Sequence, residues 1–231
     1  MSFLREDIPL KRLIIPGSHD SSTYSMHCKS LTGFVTDLYA QTQIYNIIAQ
    51  LCFGLRYFDL RIGIVKKKCC AVHGVVSGRT LKKILKHNFL PFLQCMLSEF
   101  IIIDIQSVEG PCEAFIEQAF EKHLNLKEWA VPAEKFSTGL TLGEIRKNKW
   151  RYVVLWERDQ ANPYFTKRSK FLDSPYDEPI YKSATDNIIP YLTKCCINWK
   201  DDRFLVSQAI TTPALRPPIS LEKVTGYLFS E

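Results

Sequence analysis

Apolar runs of strand length recur along this chain, and they alternate with stretches whose apolar residues return at helical spacing. Strands are expected at residues 10–16, 55–62, 69–73, 100–106, 151–156 and 204–209. Residues 100–105, FIIIDI, are apolar and β-branched almost throughout, the pattern of a parallel strand covered on both faces. Helical spacing marks residues 36–52, where Leu38, Tyr39, Ile44, Ile47, Ile48 and Leu51 form a stripe. It also marks residues 80–96, with Leu81, Ile84, Leu85, Phe89 and Leu93. Gly54 is placed to end the first helix, and Pro91 to kink or break the second. Further helices are expected over 112–123, 142–147 and 185–196, the last interrupted near Pro190, and a short one over 219–228. Lys66-Lys67-Lys68 reads as a solvated hairpin tip, and residues 160–179 as a long polar loop. Strands separated by helices predict an α/β fold with a parallel sheet or barrel.

Finer alternation places candidate chemistry. In residues 55–62, Tyr57, Asp59 and Arg61 share one face, while Phe58, Leu60 and Ile62 share the other. An acid and a guanidinium on the inward face of a strand are costly unless they pair or serve a site. His19 follows the apolar run Leu13-Ile14-Ile15 and the breaker Pro16-Gly17, and Asp20 stands beside it. His73 closes the run at 69–73, and Asp104 and Gln106 lie together at the end of another. Taken singly, each has a structural explanation. Ser18, Asp20 or Ser21 suits a helix cap, Asp59 with Arg61 a salt bridge, and each histidine a core position. Two histidines at strand ends, with an acid and an arginine on the strand between them, form a more specific pattern. An imidazole there is suited to proton transfer near neutral pH.

Composition narrows the classes. The 231 residues suit one sizeable domain, close to the roughly 250 of an α/β barrel. The net charge of +6 is a modest basic excess, compatible with an anionic membrane surface or substrate. The basic residues are scattered rather than interleaved with aromatics, which disfavours nucleic acid. Eight cysteines without a CxxC pair argue against a zinc site, and a chain this long needs no disulfide staples. The charged N-terminus lacks the apolar stretch of a secretory signal, and no apolar run has the length of a membrane span. A cytoplasmic chain, peripheral to membranes, is the expectation. Walker, GxGxxG and GxSxG motifs are absent, so a nucleophile-elbow hydrolase is disfavoured.

Four motifs then occur in order: IIPGSHDSSTYS at residues 14–25, GLRYFDLRI at 54–62, VHG at 72–74 and IIIDIQ at 101–106. Together they resemble the X domain of phosphatidylinositol-specific phospholipase C. The nearest likeness is to the small eukaryotic X-domain proteins, which are similar to the bacterial enzymes. FLVSQAITTP at 204–213 also resembles a late strand of that group. The resemblance spans essentially the whole chain. It implies a distorted TIM-type (β/α) barrel with its site at the carboxyl ends of the strands. It also implies a phosphoric diester hydrolase of the phospholipase C type. By this resemblance His19 is the general base that takes the proton of the inositol 2-hydroxyl, which attacks phosphorus to give a cyclic phosphate. His73 is the general acid for the leaving diacylglycerol oxygen. Arg61 neutralises the phosphoryl oxygens, and Asp20 and Asp59 orient the group. Gln106 stands near a substrate-binding position, and Arg158 matches an arginine that contacts the inositol ring. Asp20 and Arg61 follow the metal-free bacterial pattern. Calcium prefers six to eight oxygen ligands and would be repelled by a guanidinium, so neither a metal nor another cofactor is expected.

One departure shapes the expectation. In the family a last strand carries an Asp that orients the base, and the resemblance places that strand beyond Glu231. The chain is therefore expected to be a single X-type domain over residues 1–231, C-terminally truncated, with the last strands of the barrel missing. Two functions follow. The first is metal-independent cleavage of a phospholipid or other phosphodiester. The alternative is a catalytically impaired X domain that binds phosphoinositides or a protein partner.

Overall fold

A computed structural model describes residues 1, 3–26, 40–74, 76–158, 162–174, 188–199 and 202–207. The chain divides into two compact units, Met1–Lys170 and Phe171–Glu231. In the first, strands β1 (Gly17–Ser18), β2 (Tyr57–Val65), β3 (Lys68–His73), β4 (Val76–Thr80), β5 (Ile101–Glu109), β6 (Tyr152–Trp156) and β7 (Phe165–Lys167) form one sheet. Its order is β4-β3-β2-β5-β6-β7, with β1 paired to β2. Helices α1 (Ile47–Cys52), α2 (Leu81–Ile84), α3 (Leu90–Cys95), α4 (Glu113–Leu124), α5 (Leu126–Trp129), α6 (Leu142–Lys147) and α7 (Arg168–Phe171) intervene. In the second unit β8 (Leu172–Asp173) pairs in parallel with β9 (Phe204–Leu205), and α8 spans Ile188–Asn198.

The fold is α/β, but the sheet is mixed. β2, β5, β6 and β7 run parallel, whereas β2, β3 and β4 form antiparallel hairpins. The β2–β3 hairpin turns at Lys66 and Lys67, both with positive φ (48° and 63°), which gives the twist a two-residue hairpin needs. The described strands do not close into a barrel. The core lies on one face of the sheet, where Phe58, Leu60 and Ile62 of β2, Ile103 and Ile105 of β5, and Val154 and Trp156 of β6 join Leu85, Phe89, Ile116 and Phe120.

Several expected elements differ. The expected strand at 10–16 is a 3-10 turn, Leu10–Arg12, closed by the Leu13 N–H on the Leu10 carbonyl (3.0 Å), followed by extended chain. Ile14 is 99% exposed, so that run is not a buried strand. Pairing begins only at Gly17. There a Cβ would stand 2.8 Å from Tyr57 Cδ1, so β1 can lie this close to β2 only because the residue is glycine. In the expected helix 36–52, helix α1 starts at Ile47 because the Asn46 side chain accepts the Ala49 N–H (2.9 Å) and caps it there. The helix ends at Cys52 with Phe53 as its cap, and Gly54 follows with the left-handed φ of 100° that turns the chain away. Pro91 does not break 80–96. A π-helical stretch, Leu85–Phe89, joins α2 to α3, and Pro91 sits in the first turn of α3, where no donor is required. The expected polar loop 160–179 instead contributes β7, α7 and β8. Residues 27–39, the expected helix over 219–228 and all but the first part of strand 204–209 lie outside the described residues.

Candidate active site

The two histidines meet because of how one edge of β2 is shared. β1 climbs that edge in parallel and pairs Gly17 with Tyr57 and Ser18 with Phe58. β3 descends the same edge antiparallel, pairing Val65 with Lys68 down to Ile62 with Ala71. Between the two pairings β2 runs from Asp59 to Arg61. His19, just past the end of β1, and His73, at the end of β3, therefore approach this stretch from opposite directions.

Asp20 is the centre of the resulting cluster. Its side chain is 1% exposed, and Oδ1 lies 2.6 Å from Arg61 Nε. Its Oδ2 lies 3.1 Å from His19 Nε2 and 3.4 Å from His73 Nε2. Neither oxygen has an aligned hydrogen-bond donor, so the carboxylate is held by surrounding charge. Burial alone would raise its pKa, but His19, Arg61 and His73 outweigh that and lower it. The backbone is left-handed here (φ 48°), a conformation that Asp tolerates better than most residues. Asp59 holds the turn in place. Its Oδ1 accepts the Asp20 N–H, and its carbonyl accepts the Ser21 N–H (3.0 Å).

Asp59 also fixes the first imidazole, with Oδ2 2.8 Å from His19 Nδ1. Burial would lower the His19 pKa, but Asp20 and Asp59 on its two nitrogens raise it to about 9. His19 thus rests as an imidazolium. His73 Nδ1 donates to the Ala40 carbonyl (2.9 Å), which leaves Nε2 facing the cluster. Arg61 Nε–H donates to Gln106 Oε1 (2.8 Å). A register shift between Leu60 and Arg61 makes this possible: Leu60 pairs with Ile105 and Arg61 with Ser107, so Gln106 is the extra residue of a bulge.

The cluster thus gathers His19, Asp20, Asp59, Arg61 and His73, with Gln106 as its brace. Arg158 is not in it. Its guanidinium lies 5.5 Å above the Trp156 ring, and Nη1 is 3.9 Å from Glu117 Oε1. Gln106 and Arg158 do line one cavity of ≈ 260 Å³, together with Glu113, Trp156 and Glu157. A second buried acid–base group lies on the same sheet face. Asp104, fully buried, accepts the Tyr57 O–H (2.6 Å) and Arg168 Nε–H (2.9 Å to Oδ1). Burial raises the Asp104 pKa against the opposing pull of Arg168. Arg168 is hidden in the sequence within the expected loop, whereas alternation shows Asp104 as a neighbour of Gln106 on its face.

The His19, Asp20 and Asp59 donor atoms lie within 4.8 Å of one another, a spacing open to a metal ion. The donor set does not fit calcium. Asp20 already faces a guanidinium, both His19 nitrogens are taken by carboxylates, and three groups fall short of the six to eight oxygens that calcium prefers.

No family model matches the chain. Among curated proteins it is 34% identical to a PI-PLC X-box domain-containing protein of Dictyostelium discoideum, over 42% of this chain and 14% of that protein. It is 25% identical to the 1-phosphatidylinositol phosphodiesterase of Listeria monocytogenes, over 74% of this chain and 52% of the enzyme. The chain thus spans about half or less of the length of these relatives. Among solved structures, a mutant of the phosphatidylinositol-specific phospholipase C of Staphylococcus aureus superposes with a TM-score of 0.74 at 17% identity. That match covers 98% of this chain and 82% of the other.

Proposed function

We propose that this chain, which belongs to the X-domain family of phosphatidylinositol-specific phospholipases C, is a phosphoric diester hydrolase that cleaves a phospholipid without a metal. One observation carries the reading: a buried carboxylate, Asp20, with two imidazoles and a guanidinium within 3.4 Å of it. In-line phosphoryl transfer needs a base, an acid and positive charge at phosphorus, and these groups supply all three. Arg61, braced by Gln106, keeps its remaining N–H groups for the phosphoryl oxygens. In the unprotonated fraction of His19, Nε2 takes the proton of the attacking headgroup hydroxyl, and Asp20 and Asp59 hold the imidazolium that results. Attack on phosphorus closes a cyclic phosphate. His73, oriented by the Ala40 carbonyl, delivers a proton from Nε2 to the leaving glycerol oxygen. Asp59 on Nδ1 sets the His19 ring orientation.

The cavity behind Gln106, which Arg158 also lines, is the place for headgroup hydroxyls. Arg168, which follows β7 and donates to Asp104, is a further headgroup contact. The modest basic excess favours an anionic vesicle surface, met peripherally, since no described helix is long and apolar enough to cross a membrane. A binding module without turnover has one observation in its favour: both His19 nitrogens are engaged by carboxylates at rest.

Vesicles containing phosphatidylinositol separate the readings. Release of water-soluble phosphate ester by the full chain, undiminished by a chelator and abolished in His19→Ala and His73→Ala, supports the hydrolase. Vesicle binding with no release supports the module. Activity lost with a chelator and restored by calcium overturns the metal-free mechanism.

A further inference from the structure

Behind the His19 turn lie two glutamines that take no part in the chemistry above. Gln50, on α1, is 3% exposed and spends its whole amide on the turn and on the segment beside it. Its Oε1 accepts the Ser18 hydroxyl (2.7 Å). Its Nε2 donates to the Ser21 carbonyl (3.0 Å) and to the Tyr45 carbonyl (2.7 Å). Two carbonyls on the nitrogen and a hydroxyl on the oxygen leave the amide one sensible orientation. Ser18 and Ser21 flank His19 and Asp20 and are themselves linked, Oγ to Oγ at 2.8 Å. From the other side Gln43 Nε2 donates to the His19 carbonyl (2.9 Å). The backbone N–H groups of Thr42 and Gln43 are in turn held by Thr23 Oγ1 (3.0 and 3.1 Å). Because Gln50 also grips Tyr45, one buried amide ties the helix, the turn and the segment that holds the His19 carbonyl.

We propose that Gln50 and Gln43 are positioning residues for His19, fixing the strained His19-Asp20 turn so that the imidazole keeps its place between Asp59 and Asp20. A buried amide serving only its helix would satisfy groups on that helix. Gln50 satisfies none within α1 and three in the chain that precedes it. The tolerance of such a site is small, since a misplacement of about 1 Å costs on the order of 100-fold in rate. The kinetic half of this inference rests on the hydrolase reading, but the positional half does not.

The test uses Gln50→Met and Gln43→Met in the full chain, with the His19 ring titration followed by NMR beside kcat and KM. In Gln50→Met, kcat is expected to fall roughly 100-fold while KM stays within a few-fold. The His19 titration is expected to move down from about 9 as its carboxylate contacts loosen. Gln43→Met, at the less buried link, is expected to show the same signs at roughly a tenth of the effect. If the wild type turns over no lipid, the titration alone decides. Folded variants that keep the wild-type His19 titration overturn the proposal, and if Gln50→Met does not fold, the titration of Gln43→Met decides in its place.

Discussion

The two faces of β2, β5, β6 and β7 are made by the same strands and have opposite characters. One face carries Phe58, Leu60, Ile62, Ile103, Ile105, Val154, Trp156 and Phe165, all at or below 4% exposure and packed into the core. The other carries Tyr57, Asp59 and Arg61 on β2, Asp104 and Gln106 on β5, and Thr166 with Arg168 at β7, with the buried Ile102, Val153 and Leu155 among them. The period of two allows both, since neighbouring residues point opposite ways. The apolar face gains from leaving water. The polar face loses by it, and each charge there is stabilised only by its neighbours: Asp20 by Arg61 and the two imidazoles, Asp104 by Arg168 and Tyr57. Thr166 Oγ1 is buried with no hydrogen-bond partner, a further mark of a face not arranged for stability alone. Both sides of the sheet are buried, but the candidate chemistry is confined to one of them.

Substitutions can break that division. The largest effect is expected for His19→Ala, with turnover per folded molecule down ~10²–10⁴-fold; a lipid-cleavage assay reads it. Phe58→Ala, one residue from Asp59 but on the other face, is expected to cost about 3–5 kcal/mol of stability. Its turnover per folded molecule should stay within a few-fold of wild type, as denaturant titration and active-site counting will check.

Asp59→Asn sharpens the comparison through pH. Removing that carboxylate is expected to bring the His19 titration down from about 9, so the acidic limb of kcat/KM, where the base must lose its proton, moves to lower pH. The sign for stability follows. A raised histidine pKa contributes stability that is fully present below its ordinary value of about 6.5. That contribution is lost as the pH rises through about 9. The variant should therefore be less stable than wild type at pH 6, with the gap closing toward pH 9–10 in thermal melts. Ile105→Val is expected to have the smallest effect, about 0.5–1.5 kcal/mol in stability and none on turnover.

The apolar face is the more legible in the sequence. Residues 101–105 and 152–156 announce themselves as apolar runs because both of their faces are covered. β4 (VSGRT) and β7 (FTK) leave no such mark because they are short and polar, and their pairing comes from the neighbouring strand. The start of the chain misleads in the opposite sense, since Leu13-Ile14-Ile15 looks like a strand but has no sheet to cover it among the described residues. At the site, His19, Asp20, Asp59, Arg61 and His73 are marked by motif and alternation. What brings them together, two strands meeting head-on along one edge of β2, depends on long-range pairing that no local pattern encodes. Arg168 and Gln50 are hidden for the same reason: one lies in a stretch that reads as loop, the other in a helix that starts later than its apolar stripe suggests.

The central claim is that the polar face performs in-line transfer to an internal hydroxyl. Phosphorus NMR of phosphatidylinositol vesicles during the first turnovers tests it directly. The account predicts a cyclic phosphodiester as the first product, formed equally with and without a chelator and absent in His19→Ala. An acyclic phosphate monoester as the only product at the earliest time, or no product from the folded wild-type chain, would contradict it.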